Sequence, residues 1–130
     1  MIHTYPFPAD LIDEVNKAHY EASREDLVQQ VTQSDVFVVV HEKIIRHHEP
    51  EFIIEGAFYT LDSANYKTME TFRQYYPDYE PASFYAKNTW QAVGENSVGW
   101  YLSRSGTLSL EVHDHDGNIC RIYAERHEIE

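Results

Sequence analysis

A single cysteine, Cys120, leaves this chain without an internal disulfide, which fits a reducing compartment rather than a secreted disulfide scaffold. Long apolar runs are also missing. The longest, Val36 to Val40, has the length of a strand and falls far short of the roughly 18 residues that span a bilayer. The N-terminal stretch Met1 to Asp10 carries neither a basic segment nor a continuous apolar one, so no secretory leader and a cytoplasmic location are expected. Basic residues are scarce, ten Lys and Arg against 22 Asp and Glu, for a net charge of −12. Binding to a nucleic-acid backbone needs a basic face that releases counterions, so this chain is not expected to bind one. The five glycines are isolated, which removes phosphate loops, dinucleotide fingerprints and nucleophile elbows. No cofactor is expected.

What the 130 residues do contain is apolar and aromatic material: 42% hydrophobic, with ten Tyr, six Phe and two Trp. That is enough for one core, and without repeats or a Gly/Ser linker the whole of 1–130 reads as a single domain. Leu11, Val15, Ala18 and Ala22 recur at helical spacing behind Asp10 as a possible N-cap, giving a helix to about Glu21. Ser23 to Asp26 has the form of a capping box before Leu27, Val28 and Val31, and predicts a second helix that could continue the first. Val36 to His41 is β-branched and apolar on both faces, as a mid-sheet strand should be. Phe52 to Thr60 reads as its returning partner. Asp62 can cap a third helix with the stripe Ala64, Thr68, Phe72 and Tyr75, ended by Pro77. Residues 82–93 fit neither period and stay unassigned.

From Val98 onward, alternation predicts three strands in a meander. For the last hairpin, a two-residue turn at Asp116-Gly117 would oppose apolar to charged side chains. A five-residue loop, Asp114 to Asn118, instead pairs Val112 with Cys120, Leu110 with Ile122, Leu108 with Ala124 and Glu111 with Arg121. The fold expected is therefore α+β, an antiparallel sheet of about five strands with helices on one face, in the order α-α-β-β-α-β-β-β. That order is similar to the cone-shaped, nuclear-transport-factor-2-like fold, which would enclose a small-molecule pocket between sheet and helices.

Candidate motifs are weaker than the fold signal. Asp114-x-Asp116-Gly117 echoes the middle of a calcium loop, but Val112 and Tyr123 stand where its end ligands belong, so a hairpin turn is the better reading. His41, His47, His48, His113 and His115 lie on two hairpins without a diagnostic spacing, and no metal is expected. Cys120 should point into the core as an inert thiol. The segment Ile54-Glu-Gly-Ala-Phe-Tyr-Thr-Leu-Asp-Ser-Ala-Asn65, with the closing Asp116-Gly-Asn-Ile-Cys-Arg-Ile-Tyr-Ala-Glu125, resembles small fungal proteins in which a Glu-Gly-x-aromatic strand leads into a Thr-Leu-x-x-Ala-Asn helix start. The resemblance implies neither an activity nor a site residue.

Alternation also divides the sheet into two faces. Phe52, Ile54, Phe58, Trp100, Leu102, Leu108, Leu110, Val112, Cys120, Ile122 and Ala124 are assigned to the helix-covered face. Glu55, Tyr59, Tyr101, Glu111, His113, Arg121 and Tyr123 then share the other and form the candidate binding surface. An acidic, Tyr-rich surface without a catalytic motif points to a non-catalytic binding or regulatory protein that takes a protein partner. A small cofactor-free isomerase, cyclase or lyase, working on a small molecule with His, carboxylate or Tyr groups on the sheet face, is the alternative.

Overall fold

The computed structural model describes residues 6–29, 35–87 and 96–128. A helix α1 (Ala9–Gln29) comes first, followed by strands β1 (Asp35–Ile44) and β2 (Glu51–Phe58), helix α2 (Leu61–Tyr75) and a short 3-10 turn at Pro81–Ser83. Strands β3 (Phe84–Ala86), β4 (Ser97–Leu102), β5 (Leu108–His113) and β6 (Ile119–Glu128) complete the chain. The fold is α+β, with a six-stranded sheet in the order β2-β1-β6-β5-β4-β3.

Three expectations about the elements change. The two N-terminal helices are one, because nothing between Glu21 and Ser23 breaks the backbone; Asp10 lies inside its first turn rather than at the cap, and Val31 is outside the described residues. The N-cap of α2 is Thr60, whose Oγ1 accepts from the Ser63 amide at 3.3 Å, while Asp62 sits in the first turn, where its charge faces the positive end of the helix dipole. The sheet is mixed, since β3 pairs parallel to β4 within the stretch that periodicity could not assign. Trp90 and Val93 of that stretch lie outside the described residues.

The meander register is the one argued from side-chain matching. Leu110 pairs with Ile122, Glu111 with Arg121 and Val112 with Cys120, and the ladder ends at Ser109 and Tyr123, one step before Leu108 and Ala124. The five-residue loop is held by Asp114, whose Oδ1 accepts from the amides of Asp116 and Asn118, each at 2.9 Å. Burial would push this carboxyl up, but those hydrogen bonds outweigh it and hold it below the ordinary Asp value. The Asp114 oxygen that echoes a calcium loop is thus engaged by the chain's own backbone, while Asp116 stays exposed beside His115.

Both helices lie on one face of the sheet. Phe7, Leu11 and Val15 meet Leu61, Ala64, Met69 and Phe72 over Val39, Val98, Trp100, Leu110, Val112 and Ile122. Phe7, Phe72 and Phe84 form the aromatic centre, with ring centroids 5.4 to 5.9 Å apart.

In β2 the predicted faces are wrong, and a bulge is the reason. Val39 pairs with Gly56 and Val40 with Ile54, so Glu55 is an extra residue in the ladder. One added residue reverses the faces on either side of it. Phe58 remains on the helix-covered face opposite Phe37, but Phe52 and Ile54 turn outward and are 59% and 63% exposed. Glu55 turns inward to the helix side, where its Oε1 lies 3.6 Å from His41 Nδ1.

Candidate functional site

Among the described residues no helix covers the other face of the sheet, and the ladders lay it out in rows. One row runs Phe52, Glu42, Arg121, Glu111, Gly99, Tyr85 across all six strands. The next runs Ile54, Val40, Tyr123, Ser109, Tyr101. Ser109, a small residue between longer neighbours, lies in an open groove of about 500 Å³. Its lining includes Tyr101, Glu111, Arg121 and Tyr123 from the predicted set, with Glu42, Lys87 and Glu125 added.

Glu111 organises the floor. Its Oε1 accepts from Arg121 Nε at 2.7 Å, its Oε2 is 2.9 Å from His113 Nε2, and Lys87 Nζ reaches it at 3.3 Å. Arg121 also donates through Nη1 to Glu42 at 3.2 Å. Glu111 is only 7% exposed. Burial alone would push its carboxyl up, but the hydrogen bonds from Arg121 and His113 and the charges of Arg121 and Lys87 prevail and hold it below the ordinary Glu value. It is therefore a carboxylate at neutral pH, a fixed acceptor and not a general acid. Arg121 is shifted the opposite way, first by its hydrogen bond to Glu111.

Of the seven predicted residues, Tyr101, Glu111, Arg121 and Tyr123 line the groove and His113 stands beside it through Glu111. Glu55 is on the other face, for the reason given by the bulge. Tyr59 follows the last ladder pair of β2, is 74% exposed and does not line the groove. Sequence reasoning missed Glu42, Lys87 and Glu125. Glu125 could have been found, since it continues the alternation of Arg121 and Tyr123, whereas Glu42 follows a strand whose apolar residues on both faces gave no way to tell the two faces apart.

No family model, no curated protein and no solved structure matches this chain. The Glu-Gly-x-aromatic and Thr-Leu-x-x-Ala-Asn residues nevertheless have a structural account here. Glu55 is the bulge, Thr60 caps α2, and Leu61 and Ala64 are core. Asn65, fully buried, accepts from the Leu108 amide at 2.9 Å and donates to the Gly106 carbonyl at 3.0 Å. It thereby fastens α2 to the turn between β4 and β5. The pattern thus describes how a helix locks onto a hairpin.

A second polar cluster lies on the helix side. His41, fully buried, approaches Tyr76 Oη at 2.6 Å through Nε2 and Glu55 through Nδ1, with Tyr75 packed at 4.8 Å between ring centroids. Burial, then Lys43, lowers the His41 pKa against the opposing pull of Glu55. The ring is neutral at pH 7. Burial also raises the Tyr76 phenol and the Cys120 thiol, so both keep their protons. The arrangement resembles a carboxylate-histidine-hydroxyl chain, but the hydroxyl and the thiol keep their protons and the neutral ring that could act as a base is fully buried. The loop carrying His47 and His48 does meet that of His115, through the Arg46 amide donating to Asn118 Oδ1 at 3.1 Å. Among the described residues no three His, Cys, Asp or Glu side chains gather as metal ligands would.

Proposed function

We propose that this chain is a non-catalytic binding protein that receives a basic segment of a protein partner on the uncovered face of its sheet. One observation carries the reading: both helices cover one face, while the other presents Phe52, Ile54 and Tyr101, all exposed, in the rows that lead into a groove with carboxylates along it. Exposed apolar and aromatic side chains beside fixed ion pairs are the composition of protein-docking surfaces. Charge supports a basic partner, since the groove carries Glu42, Glu111 and Glu125 against Lys87 and Arg121, within a chain of net charge −12. A cytoplasmic location and no contact with a nucleic-acid backbone belong to the same reading. No helix among the described residues is long and apolar enough to cross a membrane.

A small cofactor-free enzyme is the second reading, and the Glu55-His41-Tyr76 chain is the observation in its favour. It carries less weight, because a substrate could reach His41 only by displacing the tyrosines packed on it. The nuclear-transport-factor-2-like comparison rests on element order, and here Phe7, Phe72, Phe84 and Trp100 occupy the space between sheet and helices.

Site-specific photocrosslinking tests the docking reading. A benzophenone amino acid replacing Phe52 on the open face should capture, in cells, a protein whose crosslinked peptide is rich in Lys or Arg, and Tyr101→Ala should diminish the product. The same group replacing Tyr20, exposed on α1, should not capture it. Equal capture from both positions would sink the reading.

A further inference from the structure

Resting on the docking reading, the geometry of the second row assigns a more specific role. We propose that the gap between Tyr101 and Tyr123 receives one cationic side chain of the docked protein, an arginine guanidinium or a lysine ammonium, with Glu125 as its counter-charge.

Tyr123 on β6 and Tyr101 on β4 are both paired to Ser109 on β5 and so stand two strands apart. Adjacent strands are about 4.8 Å apart, which puts a group seated over Ser109 roughly 4.8 Å from the strand line on either side, within the ~6 Å at which a cation is attracted to a ring face. Ser109 is the reason the gap exists, since a longer residue there would fill it. The groove's lining includes all three residues.

Charge then selects the occupant. Arg121 and Lys87 are cationic and lie in the same groove, but each is held by a carboxylate, Arg121 between Glu111 and Glu42 and Lys87 on Glu111. Three carboxylates against two cations leave one negative charge in excess. Glu125 supplies it: its ion-pair partner is His127, on the exposed end of β6 and charged only when protonated. Tyr123 senses this field. Burial first, and then the charges of Glu125 and Glu42, push its phenol above the ordinary value, against a smaller opposing effect of Arg121. An anion placed here would meet the same carboxylates without a free counter-ion. A neutral group would gain the ring contact but not the charge.

The test uses the full chain, isotope-labelled, at pH 7.5, with N-acetyl-arginine amide, N-acetyl-lysine amide and the neutral isostere N-acetyl-citrulline amide as probes. Arginine amide should shift the amide resonances of Tyr101, Ser109 and Tyr123 and saturate in the millimolar range; the lysine probe should act at the same residues, and citrulline should bind at least tenfold more weakly. Glu125→Gln should weaken the arginine probe several-fold, and Tyr101→Ala about tenfold, in line with a partly desolvated cation–ring contact. Both positions are exposed, so neither variant threatens the fold. Citrulline binding as well as arginine, or arginine shifts located elsewhere or absent at 100 mM, would overturn the proposal. Crosslinking from position 52 separates this failure from failure of the docking reading: capture without arginine binding rejects the cation site alone, whereas loss of capture rejects both.

Discussion

Replacing Asn65 by alanine should cost more than any other single change of one polar side chain in α2. The amide is fully buried and serves two backbone groups of one turn, accepting from Leu108 N and donating to Gly106 O, with His19 Nε2 a further 3.1 Å contact. Truncation leaves a buried N–H and a half-buried C=O without their partner, at about 1–3 kcal/mol each at most. Partial relaxation of the turn toward water lowers the sum, so an overall loss of roughly 3–4 kcal/mol is expected, a large part of the roughly 5–15 kcal/mol typical of whole domains. With a urea slope of about 2 kcal/mol/M, the unfolding midpoint should fall by roughly 1.5–2 M. Asn65→Asp sharpens the test. A carboxylate can still accept from Leu108 but cannot donate to Gly106, and only protonation restores a donor, so this variant should regain stability relative to the parent as pH falls from about 7 to 5. A midpoint change of less than about 0.5 M for Asn65→Ala, at an unchanged slope, would refute the claim that this side chain locks helix to hairpin.

Arg121→Ala should destabilise by about 1–2 kcal/mol, less than the 3–5 expected for breaking a fully buried pair because Arg121 is itself 38% exposed; chemical denaturation checks this, and a neutral outcome would mean that Lys87 and His113 suffice to hold Glu111. Gly106→Ala should cost more than about 1 kcal/mol, because φ there is +87° and an added Cβ would stand 2.9 Å from Leu61 Cδ2; a thermal midpoint equal to the parent's would contradict it. His41 has a folded pKa below 6.5, so the unfolded chain binds its proton more readily: its contribution to stability is intact above about pH 6.5 and is lost as pH falls from there through the folded value. His41→Gln should therefore flatten the stability profile as pH falls below about 6.5, a window that opens above that of Glu111 and Asp114, whose lowered values place their losses below their ordinary 4.5 and 3.8; an unchanged slope would show that His41 does not titrate there.

Which parts of this were legible in the sequence depended on whether one period held without interruption. Within each of β4, β5 and β6 the sequence alternation holds, and matching Glu111 to Arg121 fixed a register that the ladder repeats. The same alternation then placed Tyr101, Glu111, Arg121 and Tyr123 on one face, which is why these four of the groove's lining residues were legible in the sequence. In β3 the strand is three residues long and its parallel partner supplies what order it has, so no local pattern could announce it. Lys87 was missed with it.

The failure in β2 is more instructive, because it joins two features that look unrelated. Phe52, Ile54 and Phe58 keep even spacing and therefore read as one face, although a lone glycine at 56 inside a strand is itself a signal of a bulge. With Glu55 as the extra residue, Phe52 and Ile54 turn to the open face and Glu55 turns under the helix toward His41. The apolar end of the proposed docking surface and the buried carboxylate beside a neutral histidine thus have a common origin. A strand without the bulge would bury Phe52 and Ile54 and expose Glu55, an ordinary amphipathic edge. The bulge instead leaves two large apolar side chains exposed and a carboxylate with a buried oxygen that lacks a hydrogen-bond partner. Neither outcome favours stability by itself, and the proposed role of the open face in binding would give the distortion a physical purpose that folding alone does not.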